Sequence, residues 1–207
     1  MQPNTRALWD KQNLHPGDRK NLFAAVGGLT NASEVLYPGS FVDIAPSFVF
    51  PSATYVDSDK RTPRFFGDSD GIQEIISSEG GPVDPRVQFI HGDYTDSLGL
   101  ADESFDLLVS LYAGFVSEHC TRYLKVGGVL LAAPSHGDVA MASIDTRYQL
   151  AGVVASRGGE YRIRVDDLSS YLMPKSPIEL TPEVIHKLGR GIAYTKSPFA
   201  YLFRRIN

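Results

Sequence analysis

Cysteine is almost missing from this chain. Cys120 is the single one among 207 residues, so no internal disulfide can form and a reducing cytoplasm is the expected setting. Lying within an expected helix, Cys120 reads as a small core residue. No apolar run approaches the roughly 20 residues needed to cross a bilayer. The amino-terminal MQPNTRALWDKQ lacks the basic-then-apolar pattern of a secretion leader, so no membrane partner is expected. Excess charge is also small. The 20 Lys and Arg against 24 Asp and Glu leave a net charge of −4, which argues against nucleic acid as the main partner. Lys60, Arg61 and Arg64, and the Arg204-Arg205 pair, read as solvated surface. The chain has no Gly-x-Ser-x-Gly elbow and no phosphate loop ending in Gly-Lys-Ser/Thr, so neither a hydrolase nor a nucleoside triphosphatase has support. His15, His91, His119 and His186 are scattered without ligand spacing, and no metal is expected.

Apolar residues are plentiful enough for a sizeable core, at 43% with 21% charged, and the length suits one domain. Residues 1–31 form an expected helical lead-in. Pro16 can open a helix there, Leu22, Phe23 and Val26 give it an apolar face, and Gly27-Gly28 is expected to stop it. Residues 32–207 then alternate short strands with helices. Strands are expected at Val35–Tyr37, Ala53–Asp57, Val87–Ile90, Phe105–Leu111, Val129–Ala133, Tyr161–Val165 and Phe199–Ile206. Helices are expected over Asp43–Phe50, after Gly71 with Ile72, Ile75 and Ile76 on one face, over Val116–Leu124, and from Asp138 to about Ser156. A last one follows Thr181-Pro182, where Thr181 is a natural N-cap. The run Phe105–Leu111 is apolar on both sides, as a strand buried in a parallel sheet requires. Alternation of this kind means a doubly wound, parallel sheet between helical layers. The terminal strand, reached by a long connection, can pair antiparallel at the edge.

The most informative stretch is Glu34–Asp59. A strand runs into the tight turn Pro38-Gly39-Ser40, and a second strand ends on Asp57 about twenty residues after the glycine. In nucleotide-binding α/β folds an acid there holds a ribose, because an ionised carboxylate accepts strongly from two hydroxyls. Gly39 can let a ligand lie against the backbone, and Gly39 and Ser40 can offer N–H groups to an anion, or the turn can be a plain connection. Asp93 can accept from an amine or close its own turn, and Tyr94 can stack on a purine or merely pack. Tyr112, Ser135, His136 and Asp138 follow the fourth and fifth strands, where a second substrate would sit. His136 beside Asp138 is a candidate oriented base, although Asp138 as a helix N-cap with His136 on the surface is the preferred reading.

These segments, in this order, resemble the class I S-adenosylmethionine-dependent methyltransferases over Ser33–Asn207. Glu34–Ser40 stands at the family's first strand and glycine loop, and Tyr55-Val56-Asp57 at the end of its second strand. Phe89–Asp93 stands at the end of its third strand, Ser104–Ser110 at its fourth, and Tyr123–Leu130 at its helix–turn–fifth strand junction. The resemblance implies a Rossmann-like, mostly parallel seven-stranded sheet with an antiparallel last strand. It implies S-adenosylmethionine as cofactor, held by Tyr37, Pro38, Gly39, Ser40, Asp57, Ser58, Asp93, Tyr94, Ser110 and Leu111. The expected second ligand is a small-molecule methyl acceptor near Tyr112 and His136, with no catalytic residue assigned and the oligomeric state open. The loop departs from the family. Tyr37 stands where an acid is usual, and Phe41 and Asp43 stand where two further glycines are usual. No Asn/Asp-Pro-Pro-Tyr/Phe tetrad follows the fourth strand, where Ser110-Leu111-Tyr112-Ala113-Gly114 stands instead, and this speaks against methylation of an adenine or glutamine amino group. Two alternatives stay open: a non-catalytic relative that binds a nucleotide or a protein partner, and a nicotinamide-dependent oxidoreductase. The latter would favour an all-parallel sheet and fits poorly with Phe41 and Asp43 in a pyrophosphate loop.

Overall fold

The computed structural model describes all residues, Met1–Asn207. Eight strands form one sheet in the order β3-β2-β1-β4-β5-β8-β6-β7. The strands are β1 (Glu34–Pro38), β2 (Ser52–Asp57), β3 (Arg86–His91), β4 (Phe105–Ser110), β5 (Leu124–Ala132), β6 (Tyr148–Arg157), β7 (Glu160–Arg164) and β8 (Ala200–Arg205). Strands β1 to β5 pair parallel, β8 runs antiparallel between β5 and β6, and β7 folds back on β6 as an antiparallel hairpin edge. The sheet is thus doubly wound and mostly parallel, with an antiparallel last strand, and has eight strands rather than the expected seven.

Helices cover both faces because the central strands are apolar on both. On one side α1 (Pro3–Gln12), α2 (Asp18–Thr30) and α4 (Ser69–Ser78) pack on Val35, Tyr37, Leu107 and Leu131. On the other, α5 (Val116–Cys120) and α6 (Asp138–Ile144) pack on Leu36, Leu108, Leu130 and Phe203. Each such buried side chain contributes roughly 1.5–3 kcal/mol. Cys120 is fully buried, and that burial pushes its thiol up to about 12. The expected apolar face of α4 is present, with Ile72, Ile75 and Ile76 buried and Asp68 capping the helix through the N–H of Gly71. Thr181 caps α7 (Pro182–Leu188) by accepting the N–H of Val184.

Four expectations are corrected. Asp138–Ser156 is not one helix: α6 ends at Ile144, and residues 148–157 form β6, bonded to the late-arriving β8. The expected sixth strand, near Tyr161–Val165, is therefore β7, the antiparallel edge. The terminal strand lies inside the sheet and not at its rim. Gly27-Gly28 does not stop α2, which runs to Thr30 and closes on Asn31 in the left-handed conformation. Gly27 serves packing instead, since a Cβ there would come within 3.2 Å of the Phe50 ring.

Candidate functional site

The carboxyl ends of β1, β2, β3 and β4 bring most of the expected site residues to one rim of the sheet. Asp57 lies at the tip of β2, half-buried, and its two oxygens face different neighbours. Oδ2 accepts the N–H of Phe41 at 2.7 Å and Oδ1 accepts the N–H of Asp59 at 2.7 Å. An ionised carboxylate has about four acceptor sites, so each oxygen keeps capacity for a hydroxyl. Phe41 reaches Asp57 only by adopting a left-handed backbone, φ 48°, which is uncommon for a residue with a bulky side chain. The Arg61 guanidinium sits over its ring, 4.6 Å from the centroid.

The β1 loop does not offer its amides to a ligand. The N–H groups of Gly39 and Ser40 both donate to the Val56 carbonyl, at 2.8 and 3.4 Å, and so prolong the β1–β2 pairing by a turn. In this conformation those two donors are turned to the chain itself. The next element is a short 3-10 turn, Ala45–Phe48, and not an α-helix with a free N-terminus. Gly39 has φ 65°, and the space above it belongs to the chain itself. A Cβ on Gly39 would lie 2.4 Å from the Ala113 methyl. Ala113 is carried by the loop between β4 and α5.

Tyr37 and Ser40 are fully buried. The Tyr37 hydroxyl donates to Asp43 Oδ2 at 3.1 Å, and Arg19 from α2 donates to the same carboxylate oxygen. Burial, reinforced by Asp43, pushes the Tyr37 phenol well above its ordinary range. Arg19, partly buried, and Asp43, fully buried, therefore tie the helical lead-in to the β1 loop, a link that neither segment announces on its own. The Arg19 guanidinium also stacks on Tyr112, 5.1 Å from the ring centroid, while Tyr112 stays 52% exposed.

At the β3 end, Asp93 closes a turn on itself. Its Oδ1 accepts the N–H of Thr95 at 2.9 Å and the Thr95 hydroxyl at 2.8 Å, and the backbone bond leads in holding its pKa below the ordinary carboxylate value. Tyr94 donates its hydroxyl to the Gly114 carbonyl at 2.8 Å and so holds the loop that carries Ala113. Ser58 is exposed beside Asp57, and its carbonyl lies 3.3 Å from His91 Nε2. Leu111 is buried at the end of β4.

Asp138 caps a helix, but a different one from the expected helix. It is fully buried and accepts the N–H groups of Val116 and Ser117, at 3.0 and 2.8 Å, at the start of α5. Ser110 Oγ lies 2.5 Å from it. Burial raises its pKa against these bonds. It is thus not free to orient His136, which is exposed and paired through Nδ1 with Ser135 Oγ at 2.7 Å.

Tested against S-adenosylmethionine, the rim fits one half of the molecule. Asp57 suits a ribose. The methionine half meets Ala113 over Gly39 and loop amides already bonded to Val56, so it does not fit this conformation.

No family model and no curated protein matches the sequence. Solved structures do share its shape. A provisionally assigned O-methyltransferase from Klebsiella pneumoniae aligns over 79% of this chain and 88% of its own, at 15% identity and a TM-score of 0.52. The O-methyltransferase TomG from Streptomyces achromogenes, involved in tomaymycin synthesis and solved with S-adenosylmethionine, aligns over 79% and 87% at 12% identity and 0.47. A methyltransferase from Thiobacillus denitrificans, solved with S-adenosylhomocysteine, aligns over 70% and 69% at 18% identity and 0.47. The first of these likenesses shows that the chain has the fold of the class I methyltransferases.

Proposed function

We propose that this protein is an S-adenosylmethionine-dependent methyltransferase acting on a small-molecule acceptor. The observation that carries the reading is Asp57, half-buried at the tip of β2 in a sheet whose last strand inserts antiparallel, with acceptor capacity left for two hydroxyls. The antiparallel β8 weighs against the nicotinamide-dependent alternative. The donor, when bound, supplies an already activated methyl group, so the chain's task is alignment and exclusion of water. Asp57 would hold the ribose. Tyr112, exposed on the loop after β4, and His136 would border the acceptor. The loop Leu111–Phe115 would have to shift so that Ala113 leaves Gly39.

Calorimetric titration with S-adenosylmethionine and S-adenosylhomocysteine tests this. Saturable heat is expected, with Asp57→Ala weakening both ligands at least tenfold while the fold survives. A flat titration at millimolar ligand would favour the second reading, a non-catalytic relative. Ala113 against Gly39 and the spent amides of the β1 loop support that second reading.

A further inference from the structure

A second concave surface lies at the opposite end of the sheet. The β6–β7 hairpin turns through Gly158-Gly159, both at positive φ, 60° and 80°, as a two-residue turn of this hand requires. The register pairs Val153 with Arg164, Ala155 with Arg162 and Arg157 with Glu160. Directly paired residues point to the same face, so Arg157, Arg162 and Arg164 project together from one side. Arg162 and Arg164 stand about 7 Å apart along the strand, and Arg157 lies diagonally across, roughly 7–8 Å from Arg162. The small Ala155 leaves a groove of about 670 Å³ between them. Beside it, sharing Ala155, Ser156 and Arg164, a second hollow is walled by Tyr171 and Lys196. Lys196 lies over the Tyr171 ring, 5.0 Å from its centroid.

The charges there are largely uncompensated. Arg157 and Arg164 form no ion pair, Arg162 reaches Glu160 only at 3.3 Å with both exposed, and Lys196 pairs with Asp167. Four cations thus face two acids, in a protein whose net charge is −4. Protecting an edge strand from pairing with another chain would explain charge on β7. It does not explain Arg157 on β6, which is an inner strand, or the convergence of both strands and Lys196 on one groove. Guanidinium forks match phosphate oxygens two at a time. The volume is that of a small-molecule site, and Tyr171 offers one aromatic wall.

We propose that this groove binds a small organic anion carrying two or more phosphate groups, with the phosphates on Arg157, Arg162 and Arg164. The site stands five strands from β1, roughly 24 Å at ordinary strand spacing, and does not depend on the methyltransferase reading. Inorganic pyrophosphate and ADP are the probes, titrated calorimetrically into the full chain at low ionic strength. Saturable binding is expected for both, weakening severalfold between about 50 and about 200 mM salt as phosphate contacts do. Arg157→Gln with Arg164→Gln should weaken it at least tenfold, while Arg64→Gln, exposed on α3 (Thr62–Phe66), should leave it unchanged. Backbone amide shifts of Ala155–Arg164 should follow the titration. Absence of saturable heat, equal binding by the double variant, or tight binding of a single-stranded oligonucleotide with none of pyrophosphate would overturn the proposal.

Discussion

Two aspartates show how burial and partners set opposite pH behaviour in one molecule. Asp106 on β4 accepts the N–H groups of Ser33 and Glu34 and the Ser33 hydroxyl on Oδ2, and Lys125 Nζ on Oδ1 at 2.7 Å. Burial works against its ionisation, but Lys125 and these donors prevail and bring it to about 2, from 3.8. Its stabilisation is therefore present above pH 3.8 and lost as the pH falls through about 2. Solvent around the exposed Lys125 partner screens the pair, so the contribution to stability is a fraction of the full shift, on the order of 1 kcal/mol. Asp106→Asn should lower the thermal midpoint at pH 7 and show a shrinking deficit below about pH 4. Asp138 behaves in reverse. Its folded pKa is raised, chiefly by burial, so its carboxyl stabilises most at low pH and loses that contribution as the pH rises through the folded value. Asp138→Ala leaves the buried N–H groups of Val116 and Ser117 without an acceptor and should cost about 3 kcal/mol. The isosteric Asp138→Asn should show a deficit that grows as the pH is lowered through the raised folded value toward the ordinary carboxylate value of 3.8. Denaturant melts at three pH values check both; a deficit for Asp138→Asn that grows toward high pH would contradict the burial argument.

At the scale of elements, legibility in the sequence depended on how local the deciding interaction is. The α4 face and the Thr181 cap are settled within about ten residues of sequence, and both are present in the structure. The first five strands were legible for a related reason, since each is a short apolar run bounded by glycine, proline or aspartate. β6 was not. Val139, Ala140 and Ala142 carry a helical pattern forward from Asp138, and the partner that makes Tyr148–Arg157 a strand arrives some fifty residues later as β8. The signals that could have marked it are the turn at Asp145 and the Val153-Val154 pair followed by Gly158-Gly159. In the candidate site, Asp57 was legible from its spacing to Gly39. The role of Ala113 was not, because it faces Gly39 only through the fold. That contact can be measured. Gly39→Ala meets the Ala113 methyl and adds a left-handed strain of order 1–3 kcal/mol, so it should destabilise by about 2–4 kcal/mol. Adding Ala113→Gly should restore part of the loss. Strict additivity in the double-mutant cycle would mean that the two loops do not press on each other.

For the whole molecule, the carboxyl-terminal strand is a keystone in the literal sense. Within the sheet, β8 is the only strand that joins β1 to β5 to the β6–β7 hairpin. Ala200, Tyr201, Leu202 and Phe203 are all buried, and they alternate between the two cores: Leu202 packs with Leu131 and Val154 on one face, Phe203 with Leu130 and Tyr148 on the other. Without β8, β5 and β6 would each expose a row of unpaired amides and carbonyls in the centre of the sheet, and both helical layers would lose their shared floor. A chain ended at Phe199 should therefore show no cooperative melt and should bind a dye for exposed apolar surface. A single Phe203→Ala, which leaves a cavity on one face only, should fold and lose about 3–5 kcal/mol. The same topology sets the order of formation. The hairpin can close locally, but it cannot join the parallel strands until the last residues of the chain are in place. Hydrogen exchange should then find β6 and β8 protected to the same free energy, as one unit, and an opening of β8 alone, well below global unfolding, would show that the sheet holds together without it.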